Sequence, residues 1–265
     1  MPTLTAISPI IHSAGSTGNV SLAKRQDLIT SDGIRTQVPF VSGNAVRGVL
    51  RRVGAISMWD MLGRPELSHV SAAAITSGGS LVKTTSKFTT SDVHEFRHVA
   101  PHVGLFGCSG GGVIMPGGVN VGMLRLRCAE RNNSQVAARK QLTMLEGVRI
   151  AVLPDPLDQY IDADEPSNQM IYTHEAIVEG AVFDWDFQLA AANSEQINDW
   201  WWWCLGNWVA TGAHLGGRSS VGHGRIEFDR DTLGQIETNT RAAEHRLREW
   251  HDANREDILR WLSRL

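Results

Sequence analysis

The sequence predicts an α+β fold, and three patterns predict it. Residues 181–189 alternate so that Val182, Phe183, Asp184, Trp185, Asp186 and Phe187 leave one face apolar, the mark of a half-buried strand. Residues 195–211 place Ile197, Trp201, Cys204, Leu205 and Trp208 on one side of a helix. The two kinds of segment interleave along the chain, which excludes a helical bundle. With 265 residues and 42% hydrophobic composition, the chain fits one large domain or two small ones with a substantial core.

Taken in order, residues 4–12 read as a first strand. Residues 13–37 read as a polar, glycine-bearing loop that holds Lys24, Arg25, Asp27, Asp32 and Arg35. From Ser42 the chain is predicted helical: Ser42 is a capping residue type, and Val46, Val49, Leu50, Val53 and Ile56 form an apolar stripe. Arg47 and Arg51 share the opposite face. Residues 64–122 are rich in Gly, Ser and Thr with little periodicity, which predicts an insertion or mobile loops. A strand is expected over residues 123–127. In the helix over 195–211 the tryptophans Trp200, Trp201, Trp202 and Trp203 are split between faces; packing into a sheet or a neighbouring subunit is favoured over base stacking. Residues 241–265 set Leu247, Trp250, Ile258, Trp261 and Leu262 among charges, predicting an amphipathic C-terminal helix with a solvated charged face.

The net charge of −3 hides an asymmetry. Residues 1–149 hold 16 Lys+Arg and 8 Asp+Glu, whereas residues 150–265 hold 9 and 20. Such polarity suits a basic face for a polyanion and an acidic face elsewhere. Of the 25 basic residues 21 are arginine, whose planar fork binds phosphate with two hydrogen bonds; an arginine-rich genome explains the same composition. The cysteines Cys108, Cys128 and Cys204 are odd in number and widely spaced, which predicts reduced thiols rather than a disulfide framework. No apolar run reaches the length of a membrane span, and the N-terminus lacks a basic region followed by an apolar one, so a cytoplasmic protein without membrane partners is expected.

The most specific segment is Leu215-Gly216-Gly217-Arg218-Ser219-Ser220-Val221-Gly222-His223-Gly224-Arg225-Ile226, between the tryptophan-rich helix and a last strand. Successive exposed amides in such a turn form an anion-binding concavity, and Arg218 and Arg225 add charge for phosphates. It runs from helix into strand, the reverse of the dinucleotide-binding fingerprint, which makes nucleotide cofactor binding a poor match.

This turn, together with Val38-Pro39-Phe40-Val41-Ser42-Gly43-Asn44-Ala45-Val46-Arg47-Gly48 opening a basic helix, resembles the RAMP superfamily of CRISPR effector proteins. More closely, the chain resembles the backbone subunit that polymerises along guide RNA, the seventh Cas family, in its type IV and type III relatives. Leu105-Phe106-Gly107 ahead of a strand, Arg149 before an irregular stretch, and residues 175–187 agree with it, so the resemblance covers about residues 4–230. It implies an RNA-recognition-like (ferredoxin-like) palm over about 4–62, 123–149 and 176–235. A finger insertion over about 64–122, a thumb hairpin over about 150–175 and a C-terminal helix over about 240–265 complete the single domain. It also implies copies assembling head to tail as a helical filament, with guide RNA (crRNA), complementary target DNA or RNA, and other CRISPR effector subunits, a helicase among them, as partners. The residues expected to bind RNA are Lys24, Arg25, Ser42, Asn44, Arg47, Arg51, Arg149, Gly217, Arg218, Ser219, His223 and Arg225, mostly through phosphates. The acidic thumb residues Asp155, Asp158, Asp162, Asp164 and Glu165 read as a solvated loop in preference to a contact with a neighbour's basic face.

In the type III relatives an aspartate in the loop after the first strand cuts target RNA, and counting back from Gly43 makes Asp27 its match, with Asp32 as a weaker backup. Lys24-Arg25 beside it suits phosphate binding, and the non-catalytic type IV reading is favoured; no cofactor is then required, and magnesium would be needed only for catalysis. A more distant alternative is a guide-processing ribonuclease with His12 or His94 as acid–base groups. His94, His98 and His102 recur every four residues near Cys108, but Pro101 interrupts them and no cysteine pair completes a set, so a zinc site is not favoured.

Overall fold

The computed structural model describes residues 1–30, 32–79, 87–131, 143–150 and 170–265, with side chains described for all of these but 146–150 and 170–172. In chain order, β1 (Thr3–Ala6), β2 (Ser13–Thr17), β3 (Val20–Ala23), β4 (Arg25–Ile29) and β5 (Arg35–Val41) precede helix α1 (Gly43–Met61). Helices α2 (His69–Thr76), α3 (Thr90–Val99) and α4 (Pro101–Phe106) lead to the short strands β6 (Cys108–Gly110), β7 (Val113–Met115), β8 (Val119–Val121) and β9 (Leu124–Leu126). Then come β10 (Thr143–Ile150), β11 (Met170–Ile177), β12 (Val182–Asp184) and β13 (Phe187–Leu189), helix α5 (Glu195–Ala210), β14 (Ile226–Phe228), and helices α6 (Arg230–Ala253) and α7 (Arg255–Ser263).

The main sheet has the order β14-β1-β12-β9-β5-β4, every pair antiparallel. Its first four strands, with α1 between β1 and β9 and α5 between β12 and β14, carry the ferredoxin-like order, and β5 and β4 extend the edge. The α+β expectation therefore holds. Leu4, Leu124, Leu126, Phe183, Ile226 and Phe228 from the strands are buried with Val46, Leu50 and Met58 of α1 and Ile197, Trp201, Leu205 and Trp208 of α5. A second sheet, β10-β11-β3-β2, joins the described part of the thumb region to the N-terminal hairpin through the parallel β11/β3 pair.

Several elements differ from the sequence expectation. Residues 13–37 are mostly strand, not loop: short polar strands with little apolar alternation pair across tight turns, leaving no periodicity to read. The first strand stops at Ala6, and Ile10 and Ile11 continue it only as isolated bridges to Ile177 and Gly217. Residues 181–189 split between two sheets, because the Trp185 amide turns to Pro2 and Asp186 accepts from Gly122. The stretch 64–122 contains α2, α3 and α4, with α4 entirely buried; small residues there serve close helix packing, which composition mistakes for loop. On α1, Ile56 is 52% exposed and Ala55 and Met58 carry the buried stripe instead. Trp200 and Trp201 are both fully buried, since α6 covers the α5 face turned away from the sheet. The C-terminal helix begins at Arg230, capped by Asp229, and is interrupted at Asn254. Thumb residues 151–169, with the acidic side chains at 155, 158, 162, 164 and 165, lie outside the described residues. No helix among the described residues is long and apolar enough to cross a membrane.

Candidate nucleic-acid interface

The two sequence segments that carry the family resemblance meet at residues 9–12. The Gly217 amide donates to the Ile11 carbonyl at 2.9 Å and the Gly224 amide to the Pro9 carbonyl at 2.8 Å, while the Leu215 amide closes the turn onto Gly224 at 2.8 Å. From the other side, His12 Nε2 accepts from the Ser42 amide at 3.2 Å, and the His12 carbonyl accepts from the Lys24 amide at 2.7 Å. The glycine turn, the start of α1 and the β3–β4 link thus share one short segment.

Within the turn, Gly216, Arg218, Gly222 and Gly224 all have positive φ (82°, 62°, 89° and 80°). A Cβ on Gly216 would lie 2.2 Å from the Ile11 carbonyl oxygen, and one on Gly224 1.9 Å from that of Leu215, so both positions demand glycine. At Gly217 the nearest atom to such a Cβ is 3.9 Å away, leaving open space over an exposed backbone. Ser219 and Arg225 are exposed and Arg218 is half-buried. His223 is buried, and its carbonyl oxygen lies 3.1 Å from His214 Nδ1. The result is a rigid ridge of exposed backbone flanked by guanidinium groups, suited to an anion.

At the start of α1, Ser42 caps the helix through Oγ and the Ala45 amide at 3.3 Å, and Asn44 is exposed. Gly43 is required because a Cβ there would stand 2.2 Å from the Val121 carbonyl oxygen. Lys24 Nζ lies 5.9 Å from the centre of the Phe40 ring, whose edge-on neighbour is His12 at 6.3 Å. Burial and then the Lys24 charge hold the His12 ring below its ordinary pKa of 6.5.

Other residues singled out in the sequence have protein partners. Arg25 forms a two-pronged ion pair with Glu175, which also accepts from the Ala23 amide at 2.9 Å. Arg47 donates to the Phe106 carbonyl at 2.5 Å and the Val119 carbonyl at 3.1 Å; Arg51 donates to the carbonyls of Phe106 and Gly107. Neither is on a free helix face: both are half-buried and fasten the C-terminal end of α4. Arg149 stands opposite Ile171 on β10, its side chain outside the described residues.

Asp27 lies on strand β4, not in a loop. It accepts from Arg35 at 2.5 Å and from Gln37 at 3.3 Å, and these hydrogen bonds, Arg35 first, hold its carboxyl below the ordinary range. Asp32 is engaged by Thr30 in the following turn. The three histidines do not converge. His94 and His98 are exposed, with His98 edge-on to Trp250 at 5.5 Å. His102 is fully buried, its Nε2 2.8 Å from the Ile75 carbonyl and its Nδ1 accepting from Trp200 Nε1 at 3.2 Å. Among the described residues no three His, Cys, Asp or Glu side chains come together as a metal site. Cys108, Cys128 and Cys204 are free and buried.

From the sequence, His12 is no more than a remote acid–base candidate. Its joining role has no local signal, since it depends on a contact with Ser42, thirty positions along the chain.

No protein-family model matches the chain, and no curated protein matches it. Among solved structures it is similar to a chain described as "Type IV-B CRISPR Complex", with a TM-score of 0.58 and 22% identity, over 86% of this chain and 87% of that one. At this identity the likeness is one of fold.

Proposed function

We propose that this chain is a guide-RNA-binding backbone subunit of a CRISPR effector complex, several copies of which line up along one RNA. The reading rests on one observation: in a fold shared with a chain of a type IV-B CRISPR complex, the glycine turn and the start of α1 meet at residues 9–12. The exposed surface of the turn at Gly217 with Arg218, Ser219 and Arg225, and Ser42, Asn44 and Lys24 beside them, form the phosphate-binding track. Such contacts are independent of base identity and leave the bases for pairing with a target. Arg25, Arg47 and Arg51 are engaged by protein partners instead.

The reading is non-catalytic. Asp27 is tied to Arg35 and Gln37, a poor setting for a group that must hold a metal or take a proton. The test is to purify the protein with a co-expressed guide, add labelled complementary RNA and magnesium, and resolve products alongside complex mass. Complexes whose mass rises with guide length, with intact target, are expected. A regular cleavage ladder abolished by Asp27→Ala would replace this reading with a target ribonuclease. A protein that retains no RNA would end it.

A further inference from the structure

We infer that His12 is a positioning residue whose neutral ring latches the glycine turn, the β3–β4 link and the start of α1 into one binding surface, so that RNA binding weakens when the ring is protonated. The inference rests on the proposed RNA-binding function and names the group that holds its site together.

The geometry specifies the protonation state. Nε2 accepts the Ser42 amide proton at 3.2 Å, so that nitrogen carries no hydrogen and the ring proton sits on Nδ1. An added proton would set N–H against N–H, and the bond to Ser42 could not form. The neighbours oppose that proton: the ring is half-buried and edge-on to Phe40, and Lys24 places its charge nearby. Phe40 on β5 and Ser42 ahead of α1 bring no charge, and Lys24 on the β3–β4 link is the charged group acting on the ring. Movement of His12 is transmitted in two directions along its own backbone. Its carbonyl holds the Lys24 amide, and the adjacent Ile11 carbonyl holds the Gly217 amide.

A latch and a direct phosphate ligand predict opposite signs. A histidine that bound phosphate itself would gain charge on acidification and strengthen binding. A latch loses its hydrogen bond and weakens it, over a window below the ordinary pKa of 6.5 because the folded ring's pKa is lowered. The lost bond corresponds to about a fivefold loss of affinity.

The experiment measures binding of a labelled mixed-sequence single-stranded RNA to the full chain at constant ionic strength, from neutral pH down to mildly acidic pH. Wild type and His12→Gln, whose amide oxygen accepts without titrating, are compared. In parallel, NMR follows the Ser42 amide and the His12 ring of the free protein through the same range. Weaker binding on acidification in wild type, a flatter profile in His12→Gln, and a Ser42 amide shift that tracks the ring are expected. Binding that strengthens on acidification, or profiles that coincide, would overturn the latch. If the RNA does not bind at any pH, the proposed function fails, and the Ser42 resonance still decides the latch: an amide indifferent to ring titration rejects it.

Discussion

The four glycines of the terminal turn are not equivalent. Gly224 is held at φ 80° with no room for a Cβ, whereas Gly217 has ordinary φ and open space above it. Gly224→Ala should therefore destabilise the fold by about 2 kcal/mol or more, through strain and overlap with Leu215. Gly217→Ala should change stability by less than about 1 kcal/mol, yet weaken RNA binding by placing a methyl group where the phosphate backbone would approach the turn. Urea titration and RNA titration on the same two proteins check this. A Gly217→Ala protein with unaltered affinity would remove the ridge from the binding surface. The glycine pattern itself was legible, because positive φ and close approach leave a mark in residue type. Which glycine is fixed by packing and which has open space above it was not legible, because that depends on Pro9 and Ile11, about two hundred residues away.

At the scale of elements, α1 shows how a helix can be legible while the partners of its side chains are not. Its cap at Ser42 follows from local chemistry, and the structure agrees. Arg47 and Arg51 looked solvent-facing because the partner surface, α4, lies in a stretch without periodicity. There the guanidinium groups satisfy the last carbonyls of α4, where the helix dipole also favours cations. Arg51→Ala should cost about 1–3 kcal/mol in urea unfolding, since the Phe106 and Gly107 carbonyls lose a charged donor. Among molecules that remain folded, the salt dependence of RNA binding should keep its slope. A slope reduced by about one with stability unaltered would instead make Arg51 a phosphate ligand.

At the scale of the whole molecule, a buried histidine joins four helices. His102 on α4 bonds to Ile75 of α2 and to Trp200 of α5, whose ring lies 5.0 Å from His251 of α6. Burial pushes the His102 pKa down to about 4. The unfolded chain binds a proton near 6.5 and the folded chain only near 4, so the stability this neutral ring contributes is complete above pH 6.5. It is lost progressively as pH falls to about 4, by up to about 3 kcal/mol, and the loss then levels off. His251, also lowered by burial, acts in the same direction. Thermal unfolding across this range in wild type and His102→Gln checks it: the variant should show a shallower dependence, and parallel curves would refute the assignment. The same interior explains why the recurring histidines form no metal set, since His102 is committed inward while His94 and His98 face solvent.

Sequence alone determined the fold class, the tryptophan-bearing helix, the cap of α1 and the segments that form the proposed RNA track. Each of these is written in short-range patterns: alternation, helical spacing, a capping hydroxyl, glycines where the backbone must turn. The tertiary structure decided which charged side chains face outward and which have protein partners. Arg25 meets Glu175, Asp27 meets Arg35, and Arg47 and Arg51 meet the end of α4. The physical reason is that a charged side chain looks the same in sequence whether it is solvated or paired, and its partner is supplied by a chain segment that only the packed fold brings within hydrogen-bond reach.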